Sequence, residues 1–391
     1  VQPRPLSGIC VLDLTNVLSG PYCSYQLALL GAEVLKIENP GQGDLARKLG
    51  ADPALNRQGI GASFLAQNSG KKSVELDLKD PGDRARFEDL VRGADVLVEN
   101  FRAGVMQRLG YGWESLRAIN PGLVYCAISG FGQTGPMSDG PAYDQIIQGL
   151  SGMMSITGTA DTAPLRVGFP VADTLGGLMG AMSICAALAS RAGGGPGRFI
   201  DVSMLEASVS AMGWPVSNYL VCEVEPEPMG DQNATAAPSG TFTAADGPLN
   251  IAANQQRQYE SLCRVIDRVD LITDFRFADR ESRKGHREEL NAEINLALAR
   301  KDCLYWEREL SAAGVPAARI TTVAQTMALE QLADRGFVSE VPFPDGSRRS
   351  VRVCGTGVQF DGEPLRPLGP APLLGEHNHQ LAELTERWTH S

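Results

Sequence analysis

Residues 9–38 read ICVLDLTNVLSGPYCSYQLALLGAEVLKIE. An apolar run, ICVLDLT (9–15), opens the stretch and a second, EVLKIE (33–38), closes it. SYQLALLGA (24–32) between them has a helical pattern. Strand, helix and strand in this order predict a parallel pair joined by a crossover. The unit then recurs. SVELDL (73–78), DVLVENF (95–101) and LVYCAISG (123–130) are short, rich in Val, Ile and Leu, and bounded by turn residues. Helical patterns DPGDRARFEDLVRGA (80–94) and GVMQRLG (104–110) fall among them, with Pro81 after Asp80 as a start signal. A further strand, RFIDVSM (198–204), follows an apolar, small-residue helix at 174–191. Near-continuous apolar strands alternating with helices predict an α/β fold whose parallel sheet is covered on both faces.

A chain of 391 residues suggests two domains. The segment 222–240, CEVEPEPMGDQNATAAPSG, is Pro-rich, acidic and aperiodic, and reads as a linker or crossover. After it come a hairpin with an Asp246-Gly247 turn and helices at 255–266, 285–299 and 302–313, a smaller α/β domain over 225–325. Strands near 338–343 and 350–353 flank a second Asp-Gly turn at 345–346, and PAPLLGEHNHQLAELTER carries a final helix.

The net charge is −11, which argues against nucleic acid as a partner, since phosphate backbones need a basic face. Eight cysteines stand singly, with no CxxC, so they are expected to be reduced and mostly buried in a cytoplasmic protein. The Asn233-Ala-Thr235 sequon then carries no sugar. No apolar run reaches the roughly 18 residues of a membrane span, and no signal peptide is evident. Val1 in place of an initiator Met points to a processed or trimmed start.

Among motifs, GFGQTG (130–135) follows a strand, but PMSDGP comes next, so it reads as a loop and not a dinucleotide site. The four histidines are His286, His377, His379 and His390, none in the first 285 residues. A histidine-based triad in the α/β core would have to borrow a late residue. His377 and His379 read as surface residues near the last helix; no metal site is expected. Lys36, Arg47, Lys48, Lys71, Lys72, Lys79, Arg102 and Arg108 recur beside strand ends, where open α/β sheets bind ligands. Most read as solvated charge. Asn100, Phe101, Arg102 and Arg108 are candidates for phosphate or nucleotide binding.

One acid stands apart. Asp173, in VGFPVADTLGG (167–177), has apolar and small neighbours and only Arg166 as a nearby countercharge. A carboxylate buried there needs a partner. It reads as the N-cap of the following helix, accepting backbone N–H bonds. The same position suits a nucleophile that a large substrate approaches past Gly176 and Gly177. The two readings are compatible.

Taken together, LSGICVLDLTNVLSGPYCSYQLALLGAEVLKIENPGQGD, NSGKKSVELDLKDPG, ADVLVENFRAGVMQRLG, the SGFGQTGP loop, the Asp173 segment and APLLGEHN resemble the family III CoA-transferases over nearly the whole chain. That family includes formyl-CoA and carnitine CoA-transferases, with α-methylacyl-CoA racemase as a relative. The resemblance implies a large Rossmann-like domain from both chain ends (1–221 and 326–391), a small inserted domain and an interlocked homodimer. It implies that Asp173 is the nucleophile. It implies CoA contacts from Leu18 and Ser19, from Leu76, Asp77, Leu78 and Lys79, from Asn100, Phe101 and Arg102, and from Arg108, with Ala142, Tyr143 and Asp144 beside the thioester. Coenzyme A would enter as an acyl-CoA substrate, with no permanently bound cofactor.

The chemistry implied is CoA transfer from an acyl-CoA to a small carboxylic acid through an aspartyl-CoA thioester. Gln255, Gln256, Arg257 and Gln258 form a polar cluster that suits a second carboxylate, hence a short dicarboxylate substrate; they equally suit an exposed helix start. Two departures stand out. The glycine-run loop of formyl-CoA transferase is missing, with AANQQRQ (252–258) in that region, and Ala142-Tyr143-Asp144 lacks the racemases' histidine. A racemase needs an acid and a base on opposite sides of one carbon. Racemisation is therefore the second reading, and a non-catalytic CoA-binding scaffold the third.

Overall fold

The computed structural model describes residues 3–389; Val1 and His390, and the expectations attached to them, lie outside that range. Two compact units are present. One comprises residues 1–154, 166–226 and 330–391, the other residues 155–165 and 227–329. The second unit thus takes in a short stretch, 155–165, that the sequence reading left in the first.

The first unit is built on β1 (Cys10–Asp13), β2 (Glu33–Glu38), β3 (Lys72–Glu75), β4 (Val96–Glu99), β5 (Val124–Ser129) and β6 (Arg198–Ser203). All pair in parallel in the order β3-β2-β1-β4-β5-β6. Its helices begin with α1 (Ser19–Leu29), α2 (Pro53–Arg57), α3 (Ala62–Asn68), α4 (Pro81–Gly93) and α5 (Val105–Arg108). They continue with α6 (Trp113–Ile119), α7 (Asp144–Leu150), α8 (Val171–Ala192), α9 (Met204–Met212) and α10 (Trp214–Cys222). β2 spans the residues expected of it, and the other strands end one to three residues earlier than the sequence pattern suggests. β3 stops at Glu75 because Asp77 and Asp80 turn the chain, their carboxylates accepting the N–H groups of Lys79 and Gly82.

Successive strand residues face opposite sides, as the pleat requires. Leu12, Leu35, Val74, Leu97 and Tyr125 pack with Phe87, Leu90 and Trp388 on one side. Val11, Val34, Val96, Val124, Cys126 and Ile128 pack with Leu27, Ile184 and Leu188 on the other. The strand order reverses between β1 and β4, so the loops after these strands diverge and leave a crevice at their carboxyl ends.

Helix α8 is long and apolar enough to cross a membrane by length and composition. Here it packs on the sheet beside α1 and α9. Glycines among its buried residues make that possible. A Cβ on Gly177 would lie 2.5 Å from the Ser19 carbonyl oxygen, and one on Gly176 2.7 Å from Met204 Cγ. Gly176 and Gly177 therefore serve close packing against neighbouring elements.

In the second unit, β7 (Ser239–Ala244) and β8 (Gly247–Ala252) form the expected hairpin, but its turn is Ala245-Asp246, because Gly247 already pairs with Ala244 as the first residue of β8. β9 (Ala317–Arg319) joins β8, and helices Gln256–Val265, Arg287–Leu298 and Cys303–Ala312 cover the sheet. Gln255 and Gln258 are spent in a capping box on the first of these helices, which favours the helix-start reading of that cluster. Back in the first unit, β10 (Val338–Pro342) and β11 (Ser350–Cys354) pair antiparallel around the 345–346 turn. The closing helix is Leu381–Thr389. All eight cysteines are free; Cys222 and Cys354 are exposed.

Candidate active site

β1 ends at Asp13, and the chain enters the crevice through Leu14–Asn16. Val17 follows with φ +67°, a strained region for a β-branched residue. Several contacts hold it there. Asn16 and Asn100, one beyond each of the two diverging strands, clasp each other: Asn16 N–H donates to Asn100 Oδ1 and Asn100 Nδ2 donates to the Asn16 carbonyl, both at 2.8 Å. Val17 N–H donates to Asp44 Oδ1 at 2.9 Å. The other Asp44 oxygen lies 3.0 Å from Lys36 Nζ, which also donates to the Thr15 carbonyl at 2.7 Å.

Lys36, Lys71 and Arg47 are thus not solvated charges, as the sequence reading had most of these cations. Lys36 and Lys71 have fully buried side chains. Lys71 Nζ meets Asp13 at 3.0 Å and Ser24 Oγ at 2.8 Å, and Arg47 is paired with Glu38 at 2.6 Å, also buried. Burial alone would raise the Asp13 carboxyl; Lys36 and Lys71, with Ser24 and Thr15, hold it well below the usual range. Burial pushes Lys71 down to about 8 against the pull of Asp13. This buried ionic cluster underpins the loop that carries Val17, Leu18 and Ser19.

Asp173 is not the cap of α8. The helix starts at Val171, so Asp173 is its third residue, and Pro170 at the N-cap position makes no side-chain bond. Asp144, at the start of α7, does the capping: its Oδ1 accepts the Ala172 N–H at 2.9 Å. Its Oδ2 accepts from Gln148 Nε2 at 2.7 Å and from Arg166 at 3.4 Å. Arg166, the one countercharge near Asp173 in sequence, is therefore bonded to Asp144. The half-buried Asp173 carboxylate has no hydrogen-bond partner among the described residues. Burial, with Asp144 adding its charge, pushes it up to about 7.

Asp173 opens on a cavity of about 260 Å3 at the carboxyl ends of β1, β4 and β5. Of the residues singled out in the sequence, Leu18, Ser19, Asn100, Phe101, Arg102, Ala142 and Tyr143 share its wall. Asp144 stands behind the wall as the helix cap. Leu76 and Leu78 line a smaller adjoining cavity, which shares Asn16 and Phe101 with the first. Asp77, Lys79 and Arg108 border neither; Asp77 shapes the turn after β3, while Lys79 and Arg108 are exposed. The wall also includes Gly130 of the GFGQTG loop and residues the sequence does not single out: Asn16, Val17, Ser129 and Met204. Ser129 carries the same signal as Asn100, a polar residue at the end of an apolar strand. A wider depression of about 710 Å3 lies in the second unit, but Asp231 is the sole ionisable residue on its wall. The smaller cavity is therefore the better candidate for chemistry.

The arrangement offers what attack on a carbonyl needs, a carboxylate open to a cavity. Arg102 and Arg108 have no ion-pair partner among the described residues, which leaves both guanidinium groups available to phosphates. Neither His377 nor His379 reaches the cavity; His377 docks on β3, its N–H donating to the Ser73 carbonyl at 2.9 Å.

Comparison with known proteins gives the family. An acetyl-CoA:oxalate CoA-transferase of Acetobacter aceti is 40% identical over 366 residues, covering 93% of this chain and 90% of that protein. A succinate–glutarate CoA-transferase of Agrobacterium fabrum is 37% identical over 389 residues, covering 97% and 96%. The crystal structure of a CaiB/BaiF family protein from Brucella suis superposes with a TM-score of 0.84 at 34% identity, over 98% of this chain and 100% of the other. The naming of these relatives as transferases favours transfer over racemisation. The model described as CoA-transferase family III matches residues 6–378, and the chain belongs to that family.

Proposed function

We propose that this transferase moves CoA from an acyl-CoA thioester to a carboxylic acid, one of the two acids being a short dicarboxylate, with Asp173 as the nucleophile. The observation that carries the proposal is the state of Asp173: a cavity-facing carboxylate without a partner, its expected capping bond made by Asp144 instead. A carboxylate with no donors on it keeps its lone pairs for attack.

An Asp173 oxygen attacks the thioester carbon, and the carbonyl π pair moves onto oxygen. Collapse of the adduct breaks the C–S bond, releases CoA thiolate and leaves a mixed anhydride. The thiolate then attacks the Asp173 carbonyl, and collapse expels the donor carboxylate, leaving an aspartyl-CoA thioester. The acceptor carboxylate reverses these steps. No net proton transfer is needed. The predicted CoA contacts from Leu18, Ser19, Leu76, Leu78, Asn100, Phe101 and Arg102 suit a ligand that runs from this cavity over the adjoining one, and the exposed Lys79 and Arg108 would meet its phosphates beyond the cavity walls. The dicarboxylate is supported by relatives named for oxalate and glutarate.

The two units stand for the large CoA-binding domain and the small domain of an interlocked, cytoplasmic homodimer. Apolar side chains left open on α8 and α10 support a second copy, among them Met182 (58% exposed), Trp214 (69%) and Val221 (79%). The deciding experiment incubates the protein with succinyl-CoA or acetyl-CoA and a panel of mono- and dicarboxylic acids, and analyses new CoA esters by mass spectrometry. A new dicarboxylyl-CoA is the expected product. Epimerised acyl-CoA without any transfer would overturn the reading.

A further inference from the structure

Ser129 is the last residue of β5 and stands in the wall of the Asp173 cavity. It is 8% exposed, and its hydroxyl oxygen is buried with no hydrogen-bond partner among the described residues. Buried hydroxyls almost always have a partner, because desolvating one without compensation costs stability. An orphan in the same cavity as a candidate nucleophile therefore calls for an explanation.

A second feature meets it there. Helix α1 starts at Ser19, also in the wall, with no side-chain cap. The first N–H groups of a helix have no intrahelical acceptor. Among the described residues, those of Ser19 and Gly20 make no other backbone bond, and Pro21 has no N–H. The cavity thus holds an unpartnered hydroxyl and an uncapped helix terminus beside an unpartnered carboxylate.

We propose that the Ser129 hydroxyl donates a hydrogen bond to the oxyanion formed when Asp173 attacks a carbonyl, and that the α1 terminus is the companion donor. This rests on Asp173 being the nucleophile. The oxyanion arises as the Asp173 oxygen–carbon bond forms and the carbonyl π pair moves onto oxygen. It collapses when the C–S bond breaks; in the reverse half the same oxyanion forms as the CoA thiolate attacks the acyl carbon of the acceptor anhydride and collapses when the bond from that carbon to the Asp173 oxygen breaks. Ser129 keeps its proton throughout. A donor whose acceptor exists only in the adduct is idle in the resting protein, which is the state observed. Such a donor stabilises the transition state more than the ground state. A permanent carboxylate ligand would instead call for a fixed cation, and Arg102 at the cavity wall already offers one.

The test compares Ser129→Ala and Ser129→Cys with the parent, measuring kcat, KM for the acyl-CoA and Tm. Ser129→Ala should lower kcat by about 10²-fold, the effect of one lost oxyanion donor, and leave KM within about threefold. Ser129→Cys, a weak donor, should fall between Ala and the parent. Tm should be unchanged or higher in Ser129→Ala, because an unpaired buried hydroxyl is removed. A kcat within twofold of the parent overturns the proposal. So does a Tm several degrees lower, which would mean that the hydroxyl has a structural bond. Asp173→Asn in parallel separates the two readings: full transfer by that variant sinks the nucleophile itself, whereas its loss together with an active Ser129→Ala sinks only Ser129.

Discussion

Asp144 caps helix α8 through the N–H of Ala172, at 2.9 Å, and so leaves the neighbouring Asp173 without a bond. The two carboxylates divide the work that sequence alone assigned to one. Asp144 is buried and bonded to Gln148 and Arg166; Asp173 is half-buried and open to the cavity. The charge of Asp144 also helps burial hold Asp173 up at about 7.

Asp144→Asn keeps an oxygen for the Ala172 N–H but removes the charge. The ionised form of Asp173 becomes easier to reach, so the acid limb of the kcat/KM profile should move from about 7 to lower pH. Asp144→Ala should in addition lose about 1 kcal/mol of stability with the cap. An unmoved limb in Asp144→Asn would mean that the two carboxylates are not coupled.

Asp173→Asn should reduce transfer by about 10³-fold or more, as loss of a covalent nucleophile does. Stability should move the other way. The folded pKa of Asp173 lies above its unfolded value, so its contribution is full below about pH 4 and is lost as pH rises through 7. The Asn variant should therefore melt higher than the parent at pH 8, with the difference closing as pH falls toward 4. Thermal melts across this range check the sign, and hydroxylamine trapping of the aspartyl thioester after donor addition checks the chemistry.

Lys36→Met tests the ionic cluster under the Val17 loop. It leaves Asp13 and Asp44 buried without their shared cation, which should cost about 3–5 kcal/mol in urea unfolding. Lys72→Met is the control. Its pair with Glu33 is about a quarter exposed on each side, and its loss should cost about 0–1 kcal/mol. Similar losses in both variants would deny the buried cluster its special weight.

The sheet was legible because its central strands are buried on both faces and read as unbroken apolar runs. Local patterns also placed the Asn100–Arg102 turn and the closing helix. What escaped depends on contacts distant in sequence. The cap of α8 comes from a residue 28 positions earlier, so PVAD reads as a start signal of its own. Lys36 and Lys71 look like surface charge until Asp13, Asp44 and Ser24 are brought to them by the fold. The helices at 204–212 and 214–222 carry no clear sequence signal: Gly213 alone separates them, and the acidic, Pro-rich stretch that follows reads as a linker.

The CoA contacts carried over from the family are open to a sharper check at Arg108. Its guanidinium is exposed and unpaired among the described residues, and it lies outside both site cavities, so a role in the chemical step is not expected of it. If it binds a CoA phosphate, Arg108→Ala should raise KM for acyl-CoA about tenfold, the size of one charge-assisted bond, and leave kcat within twofold. The same variant should show a weaker dependence of KM on salt than the parent, since one screened contact is gone. An acyl-pantetheine donor, which lacks the nucleotide phosphates, should be used equally well by both proteins. A tenfold KM effect that persists with acyl-pantetheine would place Arg108 near the acyl end instead, and an unchanged KM for acyl-CoA would remove it from the binding surface.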